Sequence, residues 1–156
     1  MKKTRIICIA LASALAVACV KKEEGLNQDK LAKIQATATG SETKRLVTEN
    51  TYLNVDIEKL NKELNDRTKN KYQKTELAKA RAVLYRFYSH VHLEGDQYVC
   101  SLKSAEEINI SEKFFRYLID GLQKTNADIK TMKAKDPKTK IELPQITPQY
   151  LQGLIQ

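Results

Sequence analysis

From Leu53 onward the apolar residues of this chain return every three or four positions, and that spacing limits the fold more than any other feature of the sequence. Leu53, Ile57, Leu60 and Leu64 share one helical face, with Asp56, Glu58, Lys59, Lys62, Glu63 and Asp66 left for solvent. This predicts a helix over 55–69. Leu77, Ala80, Leu84, Phe87, Tyr88 and Val91 predict a second over 74–92, opened by Thr75 and stopped by Gly95, since glycine takes the left-handed conformation at a helix end without penalty. Phe115, Leu118, Leu122, Ile129 and Met132, widened by Phe114 and Ile119, predict the longest helix, over 112–135. Ser111 caps it, and Asp136-Pro137 ends it because the residue before proline avoids the helical region. Ser104-Ala105-Glu106-Glu107 has the form of a capping box and opens a short turn. Thr147-Pro148 reads as an N-cap followed by proline at the first helical position, ahead of Tyr150, Leu151, Leu154 and Ile155. Residues 98–102 have no evident partner strand and read as a connector. Five glycines and three prolines in 156 residues suit long helices better than a turn-rich β fold. The expected class is all-α: a small helical bundle of three main helices and a short C-terminal helix, one domain over 51–156.

The N-terminus carries a different signal. Met1-Lys2-Lys3-Thr4-Arg5 is basic, and Ile6 to Ala18 follows without a charge. That run falls short of the roughly 20 residues a membrane-spanning helix needs and fits the apolar stretch of a secretory signal. It ends Leu15-Ala16-Val17-Ala18-Cys19, and polar sequence begins at once with Lys21-Lys22-Glu23-Glu24. These nineteen residues resemble the bacterial lipoprotein class, in which a small residue precedes an invariant cysteine. Ala18 and Cys19 match the two strictest positions. Leucine, usual three residues before the cysteine, stands one step earlier at Leu15. The resemblance implies a signal peptide over 1–18, cleavage before Cys19, lipidation of Cys19 with a diacylglycerol thioether and an added acyl chain such as palmitate, and residence in the cell envelope. Val20 is not aspartate, which by the same resemblance implies delivery to the outer membrane or cell surface in a two-membraned host. The polar stretch to residue 50 is then a flexible tether, 19–50. Ala16-Val17-Ala18 also has the form of an ordinary cleavage site. Under that alternative Cys19 and Cys100 are free to pair; under lipidation Cys100 stands alone.

Charge narrows the partners. The chain has 27 basic and 19 acidic residues; without Lys2, Lys3 and Arg5, 24 basic residues face 19 acidic ones, a net +5. That is too modest for dedicated nucleic-acid binding and suits anionic polysaccharide, lipid headgroups at a membrane surface or an acidic protein partner. The stretches 67–86 and 121–140 are basic, and 94–112 is acidic. No nucleophile elbow, phosphate loop, zinc-protease helix, C-x-x-C pair or dinucleotide fingerprint occurs, so no enzyme, metal or cofactor is expected. The only histidines, His90 and His92, are two apart; on a helix they diverge, and only an extended backbone would let them share a metal in a hydrolase. The best local sign of function is tyrosine beside arginine at stripe edges: Tyr85 and Arg86 on one helix, Arg116 and Tyr117 on another, a combination enriched where proteins bind proteins. The expected function is a lipid-anchored, non-enzymatic interaction module, with a self-assembling structural envelope lipoprotein as the alternative.

Overall fold

The computed structural model describes residues 40–66, 74–136 and 141–155. The signal-like run, Cys19, residues 20–39 and the segments 67–73 and 137–140 lie outside them. In the described residues the chain is mostly helical with one small antiparallel sheet. The order is α1 (Gly40–Glu49), α2 (Ile57–Asn65), α3 (Thr75–Tyr88), β1 (Val91–Glu94), β2 (Gln97–Cys100), a 3-10 turn (Ala105–Ile108), α4 (Glu112–Lys135) and α5 (Pro148–Leu154).

α3 is the centre. Of its fourteen residues only Thr75 is exposed, and Lys79 and Tyr85 are half-buried. A helix buried all round must be covered from several sides. α1, α2 and α5 all pack against it, β1 joins its end, and Phe115 of α4 meets Phe87 edge-on at 6.3 Å. The core includes Leu60, Leu77, Leu84, Phe87, Leu118 and Ile110.

Helix boundaries follow local chemistry. Asp56 is the N-cap of α2, and its side chain accepts from the Lys59 N–H (2.9 Å). Thr147 does the same for α5, accepting from Tyr150 N–H (3.1 Å) with Pro148 at the first position. The capping box at Ser104 and Glu107 is present, and α4 spans the predicted 112–135.

Two buried carboxylates join α2 to α3. Glu63, which its position beside Lys62 predicts to be exposed, is 1% exposed; its Oε2 accepts from the Leu77 N–H (3.0 Å), in the first turn of α3. Glu76 returns the arrangement: its Oε2 accepts from the Asp56 N–H at the start of α2 (2.9 Å), and Lys79 donates to Oε1 (2.8 Å). Helix N-termini present free N–H groups and positive partial charge, so each helix supplies the anion that the other needs.

Four expectations are corrected. The boundary at residue 51 is too late: α1 lies within the predicted tether, yet Thr43 and Leu46 are buried against α3. Its buried face holds little apolar surface, so periodicity does not reveal it. The predicted helix over 74–92 stops at Tyr88, with Lys74 rather than Thr75 as its N-cap. Its last residues form β1, pairing antiparallel with 97–100 in the register Val91↔Cys100, Leu93↔Tyr98, Glu94↔Gln97. Residues 98–102 therefore did have a partner strand, concealed because Val91 also continues the helical stripe. Gly95 is the first residue of the two-residue hairpin loop, with φ of 59°, rather than a helix stop. Glycine at the first loop position suits a type II′ turn.

The hairpin is pinned to α4. Asn126 accepts from the Tyr98 N–H (2.8 Å) and donates to Tyr98 O (2.9 Å), satisfying the outer edge of β2 as a third strand would. Lys133 pairs with Asp96 at the loop. Among the described residues no helix is long and apolar enough to cross a membrane.

Candidate functional site

The predicted partner-binding residues do not form one surface. Arg86 points inward and is 6% exposed. Its Nη2 donates to Leu46 O (2.6 Å), one of the last carbonyls of α1, and its Nη1 donates to Thr51 O (2.9 Å), Ile108 O (3.0 Å) and Asn109 O (3.3 Å). Burial pushes its guanidinium below the ordinary range. Arg86 is thus the joint at which α1, the 50–53 crossover and the 3-10 turn meet α3, and it is corrected from a partner residue to a structural one. The helix that buries it is the one missing from the sequence-based prediction. With α1 unread, that side of α3 looks open to solvent.

Backbone geometry at this joint is unusual. Among the described residues Asn50 and Asn109 are the two non-glycine residues with positive φ, 48° and 52°, and the Asn109 side chain donates to Asn50 O (3.0 Å). Leu53 and Ile110 form an isolated parallel bridge beside them. Asparagine tolerates the left-handed region better than most residues.

The other three residues are scattered. Arg116 is exposed and pairs with Glu112 one turn away (2.8 Å), which holds its pKa above the usual arginine value. Tyr117 is half-buried beside Phe114, and Tyr85 is half-buried against the core. The large exposed hydrophobic residue among the described ones is Tyr52, at 65%. The signal for it was available: an isolated tyrosine among polar residues, in no stripe. It stands on the backbone that Arg86 holds, between Thr51 and the Leu53 bridge.

His90 and His92 are exposed, and His92 Nε2 lies 2.8 Å from Glu94 Oε1. Among the described residues no group of three or more His, Cys, Asp or Glu is placed to hold a metal ion. The Cys100 thiol is free and half-buried, and burial raises its pKa, the opposite of what activates a cysteine nucleophile.

A second concentration of arginine and tyrosine lies under α5. Arg81 is fully buried, and burial lowers its pKa to about 10, so it stays charged at neutral pH; its Nη2 donates to Gly153 O (3.3 Å). Tyr88 and Tyr150 meet edge-on with ring centroids 5.9 Å apart. The Tyr98 hydroxyl donates to Pro144 O (2.8 Å). Burial raises the pKa of all three tyrosines, that of Tyr98 to about 12.

These shifts predict a loss of stability at alkaline pH. Unfolded tyrosines lose their protons near pH 10, while these three keep theirs, so above that pH the unfolded state binds fewer protons and stability falls as pH rises. Arg81 and Arg86, whose pKa values burial lowers, act with the opposite sign. A spectrophotometric titration is expected to show a late tyrosinate step that coincides with loss of the helical circular dichroism signal. Tyr88→Phe should shrink that late step; a single smooth step with the helices intact would refute the assignment.

Comparison with protein-family models, with curated proteins and with solved structures gives no match for this chain.

Proposed function

We propose that this chain is a lipid-anchored envelope lipoprotein whose helical bundle serves as a non-enzymatic protein-interaction module. The observation that carries the reading is the order of Met1 to Cys19: a basic start, an uncharged run too short to span a bilayer, small residues, then cysteine and polar sequence. A domain tied to a membrane by lipid works by presenting a surface. Two features support binding over chemistry. The histidines and Cys100 are not assembled into a reactive site. The buried carboxylates Glu63 and Glu76 are engaged at helix ends.

Exposed Tyr52 is the proposed contact, because a rigid backbone beneath an aromatic side chain lowers the entropy cost of binding. The basic excess selects an acidic partner. The competing reading is a structural lipoprotein that assembles with its own copies.

Photo-crosslinking in cells from position 52 separates them. An adduct with a different protein is expected. A ladder at multiples of the mature chain's own mass supports self-assembly instead, and a chain that stays at monomer mass overturns both. Binding to the captured partner should weaken between low and physiological salt, because exposed charges are screened over about 8–10 Å. Salt-independent affinity would remove the basic surface from the account.

A further inference from the structure

Between α1 and α2 the chain alternates outside and inside. Tyr52, Asn54 and Asp56 are exposed, while Leu53 and Val55 are buried. That is the period of an extended strand with one face on the core. The backbone bonds alternate too. Leu53 donates its N–H to Asn109 O (2.8 Å), Leu53 O accepts from the Ser111 N–H (3.0 Å), and Thr51 O accepts from Arg86. All three bonds lie on the side of residues 108–111. Successive residues of a strand turn their N–H and C=O groups to opposite edges, so Tyr52 and Asn54 direct theirs the other way. Among the described residues neither Tyr52 nor Asn54 finds a hydrogen-bond partner, for backbone or side chain. Unpaired, exposed N–H and C=O groups are a template for a further strand. This edge is short. It is bounded by Asn50, with φ of 48°, and by Asp56, whose N–H is taken by Glu76. It is also held in place before anything binds, because Arg86 fixes residue 51 and the bridge to Ile110 fixes residue 53.

We infer that the 52–54 edge pairs with an extended, basic segment of the partner protein, which adds a third strand beside 52–54 and 109–111 and lays a lysine or arginine across the Tyr52 ring. This rests on the interaction-module reading and states how Tyr52 is used. The charge that steers a partner from a distance is the net basic excess of the whole chain, but the charge at the contact is local. From residue 46 to residue 58 every charged side chain is acidic: Glu49, Asp56 and Glu58. The nearest bases along the chain are engaged, Arg45 between Glu42 and Glu49, and Lys59 with buried Glu76. A cation over the exposed tyrosine face gains a further attraction. A second copy suits the edge less well, because it would bring its own Glu49, Asp56 and Glu58 against the same acids.

The test uses the full chain and a fluorescent decapeptide of alternating lysine and threonine, with binding read by anisotropy. The peptide is expected to bind and to slow hydrogen exchange at the amides of Tyr52 and Asn54. A glutamate–threonine counterpart should not bind. The lysine peptide methylated at its backbone nitrogens keeps its charge but cannot donate, and should bind about tenfold more weakly. Asn54→Pro removes an N–H that has no partner in the fold, and Leu53 before it is already extended, as the residue before proline prefers. Its helical circular dichroism should match the wild type while peptide affinity falls about tenfold; Asn54→Ala should leave affinity within about twofold. Tyr52→Ala should lower it about threefold. Equal binding of the methylated peptide would show that charge alone holds it and would overturn the strand pairing, whether or not Asn54→Pro folds. Absence of binding by the lysine peptide, or preference for the glutamate one, would overturn the basic partner segment. Both results leave the interaction-module reading intact, since that reading fails separately, when no partner is crosslinked from position 52 in cells.

Discussion

Arg86→Met is expected to destabilise the folded domain by about 2–4 kcal/mol, because buried carbonyl acceptors lose their donor. The substitution keeps an apolar stem of similar length but strips the donors from four carbonyls, Leu46 O, Thr51 O, Ile108 O and Asn109 O. Leu46 O belongs to the last turn of α1, where helix carbonyls commonly call on donors from outside the helix. A buried acceptor left without a partner costs about 1–3 kcal/mol. Small domains hold only about 5–15 kcal/mol in total, so the variant moves toward the folding threshold. Arg86→Lys is the instructive companion. It preserves the charge, but a single ammonium cannot spread donors across two sides as a guanidinium does, and most of the loss should remain. Urea melts followed by circular dichroism measure both. A loss under about 1 kcal/mol for Arg86→Met would mean that α1 is held by its side chains alone.

Cys19→Ala is expected to release the chain from the membrane altogether. Under the proposed reading an uncharged run of this length directs export but is too short to anchor a protein in a bilayer. Under the proposed reading retention comes from acyl chains, each buried methylene contributing about 0.8 kcal/mol; one chain anchors marginally and two or more anchor firmly. The wild-type protein should enter the detergent phase and incorporate labelled fatty acid. Cys19→Ala should do neither, and Cys100→Ala should do both, because the half-buried Cys100 takes no part in anchoring. Label that persists in Cys19→Ala would overturn the lipoprotein reading. A soluble wild-type protein with a Cys19–Cys100 disulfide would replace it with ordinary secretion.

What the sequence determined by itself is what local chemistry determines. α4 and α5 were legible to the residue or nearly so, because their apolar positions repeat at helical spacing and their ends carry Ser111, Asp136-Pro137 and Thr147-Pro148. The capping box at Ser104 and Glu107 was equally local. The tertiary structure decided the rest. α1 contributes Thr43 and Leu46 to the interior, too little for a periodic signal, and it is fixed by a guanidinium forty residues away. The hairpin needed β2 to compete for Val91, since the same valine fits a helical stripe and a strand. The candidate site followed from these two facts. Arginine and tyrosine beside a stripe read as a surface as long as the helix is covered on one side only. α3 is covered on several, so Arg81 and Arg86 turn inward and donate to carbonyls. A sequence shows which face of a helix is polar; only packing decides whether water or another segment meets that face.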